Sequence, residues 1–152
     1  MKLSIKTDVE YLHNPSKEVS WKKSLETKKQ MHRFLLYNKP LADSTLGLAS
    51  NQLGLKGRVI MYRSSVKKPM KFLINPMITY KSDDMITTKE DCLSVPNKSV
   101  YVERHRNIIV QQWEDEINCE YFKPTSYESI VIQHEIDHLN GIIITDYKDK
   151  GK

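Results

Sequence analysis

A chain of 152 residues with 39% hydrophobic and 28% charged side chains has the balance of one globular domain, so residues 1–152 are expected to form a single unit with a real core. No apolar run approaches membrane length, and Met1 to Lys6 is basic with no apolar core or cleavage site behind it, which argues for neither a membrane anchor nor a secretory leader and points to the cytoplasm. Cys92 and Cys119 are too few for a disulfide framework, and the net charge of +5 is spread over lysine pairs such as Lys22/Lys23 and Lys67/Lys68 with no aromatic-interleaved basic stripe, so specific nucleic-acid binding is not expected.

After an extended start, Asn14-Pro15-Ser16 reads as a turn, because Pro15 disfavours helix at the residue before it. From Trp21 to about Tyr37 the apolar residues Trp21, Leu25, Met31, Phe34 and Leu35 recur at helical spacing among lysines, predicting an N-terminal amphipathic helix that Asn38-Lys39-Pro40 stops. Ser44 to Gly54 reads as an ordinary helix-to-strand connection, although Gly47 would let a ligand approach the backbone. Arg58 to Tyr62, Lys71 to Ile74, Met77 to Tyr80 and Met85 to Thr88 are short β-prone runs, set off by turns at Lys67-Lys68-Pro69, Asn75-Pro76 and Lys81 to Asp84. Beyond Glu90 to Pro96 come two further strands, Val100 to Trp113 with interruptions and Ile117 to Phe122, with the acidic Glu114-Asp115-Glu116 as the turn between them. Thr125 with Glu128 three residues on makes a capping box and Asn140-Gly141 supplies a stop, so a helix is predicted over Ser126 to Leu139. A central helix among short, mostly antiparallel strands, with no βαβ alternation, places the chain in the α+β class.

The last helix carries Gln133-His134-Glu135-Ile136-Asp137-His138. At about 3.6 residues per turn His134 and His138 project from one face, so two imidazoles can reach one cation. Glu135 is a step round the helix, where a carboxylate can touch a water on the metal without being a ligand, as in hydrolases that combine a metal with a general base. Paired histidines at this spacing are common on surface helices and usually mean nothing. Here Tyr127, Ile130, Val131 and Gly141 share their face, so the rings point to the apolar side.

A catalytic site of this kind commonly has three protein ligands, and the helix supplies two. The long pattern His-Glu-x-x-His-x-x-Gly-x-x-His fails at Ile144, and only Asp146 and Asp149 remain downstream as acids, so the third ligand is expected upstream. Cys92, Cys119, His105, His32, His13 and several acids are candidates. Alternation puts Cys119 on one face with Ile117 and Tyr121, as a buried thiol filling a core, whereas Cys92 ends a strand, where a side chain can face a cleft.

Three separated stretches resemble the peptide deformylases. Gln133 to Gly141 resembles their metal-binding helix, Glu90-Asp91-Cys92-Leu93-Ser94 their Glu-Gly-Cys-Leu-Ser segment, and Thr45 to Gln52 their Gly-φ-Gly-Leu-Ala-Ala-x-Gln segment, φ being apolar; order and approximate spacing agree, from the N-terminal helix to about Tyr147. Thr45, Ser50 and Asp91 depart from the family's Gly, Ala and Gly. Asp91 is the most consequential departure, since it sets a carboxylate beside the cleft. Many bacterial members carry a further C-terminal helix, whereas here Lys148 to Lys152 follows Tyr147, so functions resting on such a helix are not expected.

The resemblance implies that Cys92, His134 and His138 hold one divalent ion, Fe(II) physiologically, with residue types also allowing Zn(II), Ni(II) or Co(II). It implies Glu135 as the base, and Gln52 and the Leu93 N–H as donors to an oxyanion. Ile130 and Val131 would receive a methionine side chain while the backbone of Leu46, Gly47 and Asp91 pairs with the peptide. Asp137, off the metal face, is expected to be a plain surface acid or to pair, with Arg104 as the guess. The implied reaction removes the N-formyl group from the formylmethionine of nascent chains in a bacterial cytoplasm, with transient ribosome contact and no membrane, the gene being the cell's or that of a virus infecting it. The rivals are a general zinc-type peptidase of the His-Glu-x-x-His class, which needs a His or Glu third ligand, and an inactive metal-binding homologue, which has no need of Glu135 and Gln52.

Overall fold

The computed structural model describes residues 2–151. Short helices α1 (Val9–Leu12), α2 (Trp21–Leu36) and α3 (Lys39–Ser44) precede a three-stranded antiparallel sheet of β1 (Gly47–Ala49), β2 (Val59–Tyr62) and β3 (Lys71–Ile74). A 3-10 turn at Ser50–Leu53 joins the first two strands. A second sheet pairs β4 (Met77–Lys81), β7 (Ile108–Trp113) and β8 (Cys119–Phe122), and β5 (Met85–Cys92) forms a long hairpin with β6 (Val95–His105). α4 (Ser126–Leu139) lies among them. The α+β architecture with antiparallel strands is the one expected.

The strand β2 sets the layering. Its run Val59-Ile60-Met61-Tyr62 is apolar throughout because it is buried on both faces. Ile60 and Tyr62 pack with Ile132, Ile136 and Leu139 of α4, while Val59 and Met61 pack with Met31, Phe34 and Leu35 of α2. Pinned between sheet and hairpin, α4 is fixed at both ends by its own sequence. Thr125 Oγ1 accepts from the Glu128 N–H at 3.2 Å and Glu128 Oε1 from the Thr125 N–H at 3.0 Å. At the other end the N–H groups of Gly141 and Ile142 bond the carbonyls of His138 and Asp137, at 3.0 and 2.9 Å. This double closure needs the left-handed φ of +77° that Gly141 adopts, and a Cβ there would lie 2.4 Å from the His13 carbonyl.

Several expectations need correction. α1 and α3 lie where an extended start and a helix stop were expected; Pro40 sits in the first turn of α3, where its missing N–H has no partner to lose. Leu25 is not on the buried face of α2, which is built from Ser24 and Thr27 beside Met31, Phe34 and Leu35. Cys119 is exposed, as are Ile117 and Tyr121, because β8 is an edge strand whose outer face meets solvent. Cys119 and Tyr121 do share a face of β8, but that face is wet, and Ile117 lies in the turn before the strand.

Candidate metal centre

Two local features bring a thiol to the histidines. The β5–β6 hairpin turns through Leu93-Ser94, pairing Cys92 with Val95 while Asp91 pairs with Ser99, and the register break is absorbed around Asn97 at a left-handed φ of +65°. Cys92 therefore stands at a kink, half-buried and free of the ladder's alternation. α4 meanwhile stacks His134 and His138, ring centroids 5.2 Å apart. Cys92 Sγ lies 3.2 Å from His138 Nε2, and one ligand atom from each of Cys92, His134 and His138 lies within 4.8 Å of the others. Metal–sulfur bonds of about 2.3 Å and metal–nitrogen bonds of about 2.0 Å suit such a cluster.

A buried network stands behind the rings. His134 Nδ1 faces Glu90 Oε1 at 2.9 Å, which leaves Nε2 for the cluster. Glu90 accepts from Arg104 Nη2 and Nε at 2.7 and 2.9 Å, and Arg104 Nη1 donates to Asp137 Oδ2 at 2.6 Å. The pairing guessed for Asp137 is thus present. Burial acts to raise the Glu90 carboxyl, but Arg104 and His134 outweigh it and hold it down at about 2. Gln133 faces away from the cluster and ties α4 to β6: its amide donates to the His105 carbonyl at 2.8 Å and accepts from the His105 N–H at 3.1 Å.

The protons of the site are shared unevenly. Burial lowers His134, yet Glu135, Cys92 and Glu90 together raise it well above its ordinary value. Burial and the positive charges of His134 and Arg104 push His138 down to about 3. Burial raises Glu135 to about 7, with His134 opposing. A pocket that already favours one positive charge among a thiol, two rings and two carboxylates suits a cation, which would displace protons as it binds. Glu135 Oε1 is buried without a hydrogen-bond partner among the described residues.

Gln52 is held from the other side. Its Oε1 accepts from the Ala49 N–H at 2.9 Å, which turns Nε2 toward Ser94 Oγ, at 3.1 Å, and Cys92 Sγ, at 3.7 Å. A cavity of about 480 Å³ opens in front, with Leu46, Gly47, Asp91 and Leu93 on one side and Ile130, Val131 and Glu135 on the other. Every site residue read from the sequence except His138 lines it; His138 lies behind, in contact with Cys92.

A family model described as polypeptide deformylase matches residues 3–152. The chain belongs to the polypeptide deformylase family. It is 36% identical over 101 residues to a peptide deformylase of Finegoldia magna, covering 66% of this chain and 62% of that one, and 31% identical over 132 residues to that of Rickettsia prowazekii, covering 80% and 73%. The chain thus spans under two thirds of the Finegoldia deformylase. Among solved structures, a probable peptide deformylase from the Synechococcus phage S-SSM7 superposes with a TM-score of 0.81 at 31% identity, over 97% of this chain and 100% of that one. The Thermotoga maritima peptide deformylase gives 0.80 at 26% identity, over 96% and 97%.

Against the deformylase motifs, the three departures are accommodated locally. Thr45 Oγ1 donates to the Gly47 carbonyl at 2.9 Å, and the Thr45 carbonyl accepts from the buried Arg63. Ser50 Oγ donates to the Gly57 carbonyl at 2.7 Å. Asp91 alternates outward from the buried Glu90 and accepts from Ser99 across the hairpin. Ser94, Arg104, Gln133 and Tyr147 were not singled out by the sequence as site residues; Gln133 and Ser94 stand inside the motifs, which was the available signal.

Proposed function

We propose that this deformylase-family chain hydrolyses the N-formyl group from the formylmethionine at the start of nascent polypeptides. The observation that carries the reading is the meeting of Cys92, His134 and His138 beside the buried carboxylate of Glu135. Cys92, His134 and His138 would hold the ion, Fe(II) by family likeness, with Zn(II), Ni(II) or Co(II) acceptable to the same thiolate and imidazole donors. When bound, the ion supplies Lewis acidity, making water easier to deprotonate and a carbonyl easier to attack.

The remaining steps belong to side chains. Glu135 takes a proton from water as its oxygen adds to the formyl carbon. Gln52 Nε2, already turned toward the cluster, donates to the oxygen on which charge develops, with the Leu93 N–H as second donor. Glu135 returns the proton to the departing amine as the C–N bond breaks, leaving formate and a free methionyl N-terminus. Ile130 and Val131 offer an apolar wall to the methionine side chain, and the backbone of Leu46, Gly47 and Asp91 a strand edge to the peptide. A nascent formylmethionyl chain as substrate would put the enzyme in a bacterial cytoplasm with transient access to the ribosome, and no helix among the described residues is long and apolar enough to cross a membrane.

A thiol as third donor favours this reading over a general peptidase of the His-Glu-x-x-His class. The deciding experiment measures formate release from formyl-Met-Ala by protein loaded anaerobically with Fe(II) or with Ni(II), beside Glu135→Gln. Turnover lost with metal retained supports the assigned base; equal turnover in the variant overturns it. Cys92→Ser should lower metal content, and Cys119→Ser should not.

A further inference from the structure

The segment following α4 reaches back into the network behind the metal centre. Beyond Gly141 the chain runs along β6, with Ile144 buried against Val100 and Val102. Asp146 meets His13 at 3.0 Å, and Asp149 accepts from the Tyr101 N–H at 3.2 Å. Between these anchors Tyr147 turns inward. Its phenol donates to Asp137 Oδ2 at 2.6 Å and accepts from Arg104 Nη1 at 3.2 Å, while its ring lies against the guanidinium, whose Cζ is 4.9 Å from the ring centroid.

We propose that Tyr147 is a positioning residue for the metal centre, fixing through Arg104 and Glu90 the orientation of the His134 ring and so the site's hold on its cation. The proposal rests on the reading that His134 is a ligand. Arg104 is one rigid plane, so its two ends cannot move independently. One edge, Nε and Nη2, grips Glu90; Nη1 goes to Asp137 and the phenol. Glu90 in turn faces His134 Nδ1. Removing the phenol oxygen takes one of two donors from Asp137 Oδ2 and one acceptor from Nη1, so the guanidinium is free to turn about its remaining contacts. Glu90 then follows it, and the ring follows Glu90. A phenol that merely tethered the segment would not need to meet Arg104, since Ile144, Asp146 and Asp149 already do that.

Partners one contact removed from a ligating histidine commonly change metal affinity by about 10- to 100-fold. Tyr147 is further along, so a change of about 3- to 10-fold is expected. The test loads the full chain anaerobically with Co(II), as wild type, Tyr147→Phe and Asp149→Ala, the last removing the acceptor that ties the segment to Tyr101. It records the sulfur-to-cobalt charge-transfer band, the d–d envelope and the rate of cobalt release to excess chelator. The expected result is the sulfur band in all three proteins, with a shifted d–d envelope and faster release in Tyr147→Phe alone. Wild-type release and envelope in Tyr147→Phe, whatever its melting temperature, would overturn the proposal. Release from Asp149→Ala as fast as from Tyr147→Phe would also overturn it, since tethering of the segment would then suffice. A wild-type protein without the sulfur band would remove the ligand reading itself, and the proposal with it, before any substitution is compared.

Discussion

Gly47 and Glu135 are in such close contact that a Cβ at Gly47 would fall 2.6 Å from Glu135 Oε2 and 3.0 Å from its Cδ. A Cβ there would oblige the buried Glu135 side chain to shift, and the cavity it lines is the space open to it. Gly47→Ala is therefore expected to displace Glu135 while leaving the three candidate ligands in place. A misplacement of about 1 Å in a reacting group costs on the order of 100-fold in rate. The expected outcome is a loss of about that size in kcat/KM for formate release, with metal content per chain unchanged. Loss of metal along with activity would show that the substitution reaches the ligands instead.

The Arg104–Glu90 pair is fully buried, and Arg104 also meets Asp137. Charges taken out of water are costly unless paired, and removing one partner of a buried pair destabilises by about 3–5 kcal/mol. Arg104→Met should lose stability of that order in urea denaturation of the metal-free protein. The double variant Glu90→Leu/Arg104→Met should recover part of it, because the more deeply buried carboxylate is gone while Asp137 keeps the Tyr147 phenol. Equal loss in both would mean that packing, not charge, is what the arginine provides.

These two relationships were legible in the sequence to different degrees. α4 was readable to the residue because its signals are local: Thr125 and Glu128 close one end and Gly141 the other. Gly47 stood in a recognisable motif, but its contact with Glu135 is long-range and needs β1 against α4. Cys92 could not be chosen over other upstream candidates by periodicity, since a register break at the hairpin end is what aims it. Cys119 was misplaced because alternation tells which residues share a face, not which face is wet. α3 was missed because Pro40 was read as a breaker although the first helical turn tolerates it.

The capping box of α4 should give the fold a measurable dependence on acid. Burial acts to raise the Glu128 carboxyl, but the Thr125 amide and the Lys71 ammonium, 3.0 Å away, outweigh it and hold it below the usual carboxylate range. A carboxyl depressed on folding contributes stability that is present above its unfolded value and lost as pH falls through the folded one. Glu128→Gln should therefore be less stable than wild type at neutral pH, and the difference should shrink in denaturation series carried below about pH 4. A difference that persists undiminished in acid would assign the effect to something other than the charge. Thr125→Ala, which removes the reciprocal half of the cap, should cost about 1 kcal/mol at neutral pH.

On the alkaline side, two phenols should titrate late. Burial raises Tyr62 to about 12, with Glu128 and Glu120 adding to it. Burial and the hydrogen bond to Asp137 raise Tyr147 to about 12. Groups raised on folding contribute stability that is complete below their unfolded value of about 10 and lost as pH climbs through the folded one. The near-ultraviolet phenolate titration should show a late step near pH 12, or cooperative unfolding there. Tyr62→Phe should remove part of that step's amplitude; an unchanged late step would mean that Tyr62 ionises with the early phenols.

The two thiols should separate by labelling. Cys119 sits exposed on the edge strand β8, 3.3 Å from the Gln111 amide, where an alkylating reagent can reach it in any state of the protein. Cys92 is half-buried against His138, and an ion held by its sulfur would occupy the lone pair that reacts. Metal-loaded protein treated with iodoacetamide should gain one adduct, at Cys119. Protein stripped with chelator should gain a second at Cys92, and the doubly labelled chain should no longer take up metal. Equal labelling of Cys92 with and without metal would place the ion away from this sulfur, leaving His134 and His138 without their third donor.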